Sequence, residues 1–475
     1  MADATHFDMI VIGGGTAGLV TSAGSAGIGA RVALIEGGRL GGECLWNGCV
    51  PSKAMIACAR AAHTVRTAAQ FGVTARDVAV DFAGSMHWVR AAQERIAPHD
   101  SAERFRSLGV DVIQGAARFV GERAIAVNGS TITAKRITIA TGSRPALPPI
   151  DGLSTVPYLT NETIFSLERQ PRTLLILGGG PIGLELAQAF ARLGTTVTVI
   201  EAGPQLLPHE DHELAVSLGE CLAAEGIALL LGTKATRVAL VEDRIQLYAT
   251  SSDGRAVTLE GDALLVATGR QPNVSSLALE NGGIEANGQG IVVDTTLKTT
   301  AAGVWAAGDC VGPLRFTHVA DYHARLVVRN AFFPFARRTD YAAVPWVTYT
   351  EPELAHVGLT EDEARAQYGD TVRVWRRKFN DLDRAVTDGQ TAGMVKLITD
   401  RRGKILGGHI LGYGAGNMVG EITIAMRSGL SAAKLASIIH PYPTYPEAIK
   451  QAADDFQKSR FKGMVKSLAG WFARR

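Results

Sequence analysis

Cysteine is scarce in this chain, with five residues in 475. An odd, sparse set of that kind argues against a secreted disulfide framework. A structural zinc centre is not expected either. It needs four ligands, and no second Cys or Cys/His pair stands at ligand spacing, so no metal ligands are assigned. An excess of one charge is also missing: 48 basic residues face 46 acidic ones, for a formal net of +2. That argues against a strongly electrostatic partner such as nucleic acid, which needs a basic stripe. Charge is absent altogether from residues 9–30, but seven glycines break up that run and Asp3 and Asp8 precede it, rather than a basic leader. It therefore reads as a strand, a turn and a helix, not as a membrane span or signal peptide. No targeting segment is legible, so the cytoplasm is the default compartment.

The length suits about three domains with sizeable cores. Glycine is abundant at 53 residues, as a fold with many tight strand-to-helix turns demands. Two of those turns are copies of one device. Asp8-Met-Ile-Val-Ile12 reads as a buried strand leading into Gly13-Gly-Gly15-Thr-Ala-Gly18, a small-residue helix, and a second strand ending in Glu36. Thr173-Leu-Leu-Ile-Leu177 leads likewise into Gly178-Gly-Gly180-Pro-Ile-Gly183 and a strand ending in Glu201. In both copies the acid comes 18 residues after the last glycine.

Each residue of the pattern has a physical reason. The first glycine permits the tight turn, the second lets backbone approach a pyrophosphate, and the third allows close helix–strand packing. The phosphates then sit on free N–H groups at a helix N-terminus, and the acid accepts from a ribose. The duplication extends to Ala140-Thr141-Gly142-Ser143-Arg-Pro145, repeated as Ala267-Thr-Gly269-Arg-Gln-Pro272, each after an apolar run. Gly303-Val-Trp-Ala-Ala-Gly308-Asp309 places a further acid at a strand end. From Tyr341 the character changes. Segments 347–349, 372–375 and 394–398 read as strands of an antiparallel sheet, and helical patterns come next over 419–429 and 431–439.

Between the first glycine turn and the first repeat lies Gly42-Glu-Cys44-Leu-Trp-Asn-Gly-Cys49-Val-Pro-Ser-Lys53. Two thiols so close together read as a dithiol/disulfide couple. The pair opens a predicted helix, whose N-terminus favours thiolate. Pro51 is tolerated in a first turn, and Lys53 adds positive charge that lowers a neighbouring thiol's pKa.

Together these motifs resemble the pyridine nucleotide–disulfide oxidoreductases, the family of lipoamide dehydrogenase, glutathione reductase and mercuric reductase. The likeness runs to about residue 455. It implies an α/β fold with two Rossmann-like dinucleotide-binding domains and a C-terminal α+β dimerisation domain. The expected map is an FAD-binding domain over 1–150 with a return segment at 274–340, an NAD(P)-binding domain over 151–273, and a dimerisation domain over 341–455. A basic tail spans 456–475.

The resemblance also implies FAD on the first unit, NAD(P)H on the second, and a homodimer in which the C-terminal domain completes the partner's site. Glu36 would hold the adenosine ribose of FAD, Asp309 the ribityl chain, and Thr141, Gly142 and Ser143 the flavin site. Gly42, Ala117, Gly269 and Gly308 complete the expected cofactor set. Cys49 would be the thiol beside the flavin and Cys44 the one facing substrate. Lys53 would pair with Glu185 near the flavin. Glu201 would accept from the 2′-hydroxyl of NADH and repel the 2′-phosphate of NADPH. No Arg or Lys stands within thirty residues after it, so NADH is favoured.

One position departs from the family. Disulfide-reducing members place a histidine, their acid/base, before Pro-Thr-x-x-Glu. Here the run is His440-Pro-Tyr442-Pro-Thr-Tyr-Pro-Glu447, with Glu447 in its usual place. Tyrosine, with an ordinary pKa of about 10, is a poor base at neutral pH. His440 could substitute only from a different pose. Tyrosine here resembles mercuric reductase, and soft thiolates suit soft metal ions. That enzyme's usual C-terminal cysteine pair and N-terminal metal-binding domain are not seen, and Glu201 leans toward lipoamide dehydrogenase.

The chain is therefore read as an FAD-dependent NAD(P)H oxidoreductase of a mercuric-reductase-like branch. It would pass electrons through Cys44–Cys49 to a small-molecule or metal-ion acceptor. Competing readings are a dihydrolipoamide dehydrogenase or other small-disulfide reductase, a quinone or dye reductase using reduced flavin alone, and a redox sensor or membrane-docked adaptor. The tail, with six basic residues, no acid, and Phe456, Phe461, Met464, Val465, Leu468, Trp471 and Phe472 at near-helical spacing, reads as an amphipathic helix. Packing on its own dimer is the plainer use of that helix, and contact with anionic lipid is the alternative.

Overall fold

The computed structural model describes residues 5–472. The chain divides into two compact units, residues 1–172, 239–245 and 261–340 in the first, and 173–238, 246–260 and 341–475 in the second.

The first unit is built on a parallel sheet. The strand Thr5–Ile12 pairs with Val32–Glu36 on one side and Ser130–Ile139 on the other, Val110–Gln114 extends the first edge, and Val304–Ala306 pairs with Ser130–Ile139. Met9, Ile10 and Val11 are fully buried, as expected of a strand covered on both faces. The registers set Ile12 beside Ile35 and Ile139, and Ile139 beside Ala306. Four strands therefore end on one edge of the sheet. Gly13, Glu36, Ala140 to Gly142, Gly308 and Asp309, at or just past those strand ends, are all delivered to that edge. Ligands of open α/β sheets bind at such carboxyl ends.

Residues 9–30 resolve as expected into the strand Thr5–Ile12, a glycine turn and the helix Thr16–Gly27. Small residues let this helix lie against the helix Thr317–Phe332. A Cβ added at Gly24 would come within 3.1 Å of Val328. Among the described residues no helix is long and apolar enough to cross a membrane.

The second unit repeats the parallel device in the order Ala228–Leu230, Thr196–Ile200, Thr173–Leu177. It adds a five-stranded antiparallel sheet in the order Pro345–Thr348, Glu353–Gly358, Ile405–Gly412, Met394–Thr399, Arg373–Lys378. The helices Ala415–Arg427, Ala432–Ala436 and Glu447–Phe472 supply side chains to its core.

The strands Pro345–Thr348, Arg373–Lys378 and Met394–Thr399 lie where the sequence puts them, with ends shifted by up to three residues. The other two strands, Glu353–Gly358 and Ile405–Gly412, were not legible. The latter is glycine-rich because the sheet is closely covered there. A Cβ at Gly408 would meet Ile422 at 2.8 Å. The expected helix over 431–439 shortens to Ala432–Ala436, capped by Ser431, whose hydroxyl accepts from Lys434 N. Phe456 is buried and stands edge-on to Trp375, so it belongs to the core rather than to a separate tail. Phe461 and Val465 are exposed, while the side chains of Met464, Leu468, Trp471 and Phe472 lie outside the described residues.

Candidate active site

Two closely similar cradles stand at the two glycine turns. Gly13 and Gly178 both take left-handed φ, at +106° and +109°. Gly15 and Gly180 cap the next helices with nearly identical backbone, φ −81° and −78°, and neither helix has a side-chain cap. Their first-turn N–H groups are therefore left for an external anion. Each terminal acid braces its own turn. Glu36 accepts from Gly14 N and Gly38 N, both at 2.5 Å. Glu201 accepts from Gly179 N at 2.7 Å and Gly203 N at 2.6 Å. One amide per oxygen leaves a second lone pair on each, as a ribose diol needs. Gly18 and Gly183 each lie against the carbonyl of the turn's first glycine, where a Cβ has no room. Gly42 is held equally close to Gly15; its added Cβ would reach Gly15 Cα at 2.6 Å.

The cysteine segment comes directly afterwards. Cys44 lies in the short helix Gly42–Trp46, and Cys49 is the first residue of the helix Cys49–Thr67. Gln93 Nε2 donates to the carbonyls of Leu45 at 3.2 Å and Trp46 at 2.8 Å, which fixes the turn between the sulfurs. Trp46 is itself pinned by its Nε1 donating to Leu40 O at 2.7 Å and by Arg39 lying over its ring.

Both cysteines are unbridged thiols here, Cys49 exposed and Cys44 half-buried. The hydrogen bond to Cys49, then burial, push the Cys44 thiol far above the usual thiol range, against a smaller opposing pull from Thr317. The proton between the two sulfurs is thus placed on Cys44. Cys49 Sγ also lies 3.3 Å from Thr317 Oγ1, at the start of the helix Thr317–Phe332. Lys53 stands one helical turn from Cys49, on the same face. By contrast, burial pushes Cys310 up to about 11. It also raises Cys58 and Cys221, so neutral thiols are expected at those three positions.

Behind the cysteines runs a polar network. Arg270 pairs with Glu43, and its Nε donates to Ser143 Oγ at 2.9 Å. Ser143 in turn donates to Asp309 Oδ2 at 2.7 Å. Asn161 Nδ2 donates to Glu43 Oε1 at 2.6 Å. Burial raises the Glu43 carboxyl, with Arg270 opposing. The two sequence repeats pair with each other: Ser143–Pro145 and Arg270–Pro272 form an antiparallel ladder. Thr141 and Asn273 then bond reciprocally, at 2.6 and 3.1 Å. Gly308 N donates to His323 Nδ1 at 3.2 Å, and burial holds that imidazole down at about 4, in the neutral form that can accept.

In the second unit Glu185 is buried and accepts from Tyr349 N at 2.9 Å. Tyr442 is 70% exposed. Its hydroxyl donates to Asp383 Oδ2 at 2.8 Å, and that bond together with the carboxylate's charge raises the phenol above its ordinary value. His440 is engaged at both nitrogens, by Ile438 O at 3.1 Å and Glu421 Oε1 at 2.9 Å. Glu447 begins the final long helix.

Residues 7–324 match the profile of the pyridine nucleotide-disulphide oxidoreductases, and residues 344–453 match that family's dimerisation domain. The chain belongs to this family. It is 36% identical to a mercuric reductase of Streptomyces lividans over 464 residues, covering 95% of this chain and 96% of that protein. It is 35% identical over 462 residues to a dihydrolipoyl dehydrogenase of Thermus scotoductus, covering 95% and 98%. Among solved structures, the HOCl-induced flavoprotein disulfide reductase RclA from Escherichia coli matches with a TM-score of 0.85 at 31% identity. That match covers 94% of this chain and 99% of RclA.

The protein is thus a pyridine nucleotide–disulfide oxidoreductase, and enzymes of this family depend on FAD and use NAD(P)H. The residues present fit such groups: two uncapped helix N-termini behind left-handed glycines, each with a carboxylate at the neighbouring strand end. Gly142, at φ +69°, has open space where a Cβ would point, leaving that approach clear.

Sequence reasoning missed Thr317, Glu43, Arg270, Asn161 and His323. Glu43 and Arg270 stood inside recognised motifs, and their charge alone was the available signal. Thr317 and His323 carried none.

Proposed function

We propose that this oxidoreductase reduces a soft, thiol-seeking metal ion of the mercuric class, taking its electrons from NADH. The observation that carries the reading is Tyr442, an exposed phenol whose proton is held by Asp383, standing where disulfide-reducing relatives carry a histidine base. Turning over an organic disulfide requires a proton for the leaving thiolate. A metal ion held by two thiolates leaves no such group to protonate. Mercuric reductases among the relatives support this reading, as does the copper(II) complex of RclA.

Bound FAD would relay the two electrons of NADH to the sulfur pair. The chain's residues do the rest. Glu36, Gly13 to Gly15, Ser143 and Asp309 would hold FAD, while Glu201 and Gly178 to Gly180 would hold the nucleotide, with Glu201 selecting the free 2′-hydroxyl. Lys53 and the helix N-terminus stabilise negative charge on Cys49. Cys44 retains its proton until the acceptor arrives, then binds it as thiolate. In balance, NADH, a proton and the disulfide give NAD⁺ and the dithiol. The dithiol's two electrons then reduce the divalent ion to the metal, its two protons leave to solvent, and the disulfide is restored.

The test is steady-state NADH oxidation by the FAD-loaded enzyme with mercuric ion, lipoamide, glutathione disulfide or a quinone. The expected result is turnover with mercuric ion, lost in Cys44→Ser, and disulfide turnover slower by ~10²–10⁴, the usual worth of a positioned acid/base. Lipoamide reduction at enzyme-like rates would overturn the reading of Tyr442. Quinone reduction alone, surviving Cys44→Ser, would move the chemistry to the flavin.

A further inference from the structure

A second cluster of reactive side chains lies in the interior of the second unit and has no part in the redox chemistry. Glu210 precedes the helix His212–Ala224, His356 lies in the strand Glu353–Gly358, and His409 lies in Ile405–Gly412. The two histidines face each other directly across the paired strands. Glu210 is 7% exposed, His356 1% and His409 0%. One ligand atom from each lies within 4.8 Å of the other two.

Hydrogen bonds determine which atoms face inward. His356 Nε2 donates to Gly358 O at 2.8 Å, and His409 Nε2 donates to Leu359 O at 3.0 Å. In a neutral ring the lone pair then belongs to Nδ1. His356 Nδ1 lies 3.2 Å from Glu210 Oε2, and His409 Nδ1 is buried with no hydrogen-bond partner. Burial holds His409 down at about 3, in the neutral form whose Nδ1 carries a lone pair. An unsatisfied buried acceptor is costly, so an aimed, unpartnered ring nitrogen calls for an occupant.

Trp346 Nε1 donates to Glu210 Oε1 at 2.6 Å and its indole stacks on His356 at 3.7 Å, so the carboxylate presents its other oxygen inward. Lys396, the nearby ammonium, is committed to Asp211, Glu361 and Glu213 at 2.8, 2.8 and 3.0 Å.

We propose that Glu210, His356 and His409 bind one first-row divalent transition-metal cation of zinc's class. Two imidazoles and a carboxylate are a donor set such ions accept. The 3.2 Å between His356 Nδ1 and Glu210 Oε2 matches the spacing of two ligands on one ion at ~2.0–2.1 Å. Backbone carbonyls on both Nε2 atoms are the outer partners that set a ligating histidine's tautomer. The ion ties the Glu210 loop to the paired strands Glu353–Gly358 and Ile405–Gly412 of the dimerisation sheet. Spacing in the sequence could not reveal it, because Glu210 and His356 are 146 residues apart. The same heavy atoms would also suit a metal-free imidazolium–carboxylate pair, and that is the alternative to be tested.

The experiment uses FAD-loaded enzyme carrying Cys44→Ser and Cys49→Ser, so that active-site thiolates contribute nothing. It is stripped with a chelator and titrated with zinc chloride. About one zinc per chain is expected, with X-ray absorption showing imidazole and oxygen ligands, no sulfur, and a raised thermal midpoint. Glu210→Gln and His409→Gln should each weaken binding by about 100-fold or more, beyond the cost of losing an outer partner. No stoichiometric uptake would overturn the proposal and leave the ion pair. Sulfur ligation, or unchanged affinity in both variants, would do the same. Should the variants fail to fold, the absorption spectrum of the titrated parent decides.

Discussion

At the scale of single residues, two neighbouring sulfurs share one chemistry because their surroundings differ. Cys44 keeps its proton through its bond to Cys49 and its burial, while Cys49 sits exposed at a helix start beside Thr317. Under the proposed function, Tyr442 is the residue that selects the acceptor. Replacing it with histidine (Tyr442→His) is expected to raise lipoamide turnover at least tenfold, within the ~10²–10⁴ that a positioned acid/base supplies. An unchanged lipoamide rate would show that this position does not govern proton supply. Glu201 belongs to the same scale. Glu201→Ala should lower kcat/KM for NADH and bring NADPH within about tenfold of it, as removal of a repelled 2′-phosphate contact implies. Cys44, Cys49, Glu36 and Glu201 were legible because each motif is local and its spacing is dictated by backbone geometry. Thr317 and Arg270 were not, because their partners Cys49 and Glu43 lie 268 and 227 residues away.

At the scale of elements, the glycine turns and the helices behind them bear the account. Gly13→Ala should cost at least about 1–2 kcal/mol from its left-handed backbone alone, and its methyl would collide with the Ala140 carbonyl. A lower melting temperature and a flavin-to-protein ratio well below that of the wild type are expected. The helix Thr317–Phe332 makes a pH-dependent contact through His323. Its folded pKa lies near 4, below the ordinary 6.5. The stability it contributes is therefore present above 6.5 and lost as pH falls through 4, on the order of 3 kcal/mol in total. Flavin retention should weaken over that window. His323→Asn keeps an acceptor near Gly308 N but cannot titrate, and should flatten the profile. An equally steep profile in that variant would remove the assignment. Three strands and the amphipathic helices of the C-terminal domain were readable from periodicity. The strand Ile405–Gly412 was hidden, since glycines such as Gly408, packed closely against Ile422, dilute the apolar signal.

At the scale of the whole molecule, one device used twice explains why the fold was legible and the acceptor was not. Both cradles obey the same backbone rules, down to φ of +106° and +109° at their first glycines, so sequence spacing specified them. Acceptor choice depends on what surrounds two sulfurs, and that is assembled from distant segments. The central claim is that reducing equivalents of NADH end on Cys44 and Cys49. Differential alkylation with mass spectrometry tests it most directly on the FAD-loaded enzyme under anaerobic conditions. In the air-oxidised protein both should resist the alkylating reagent. After one equivalent of NADH both should be labelled, while Cys58, Cys221 and Cys310 stay unchanged. NADH consumption with no new label at Cys44 and Cys49 would contradict the account.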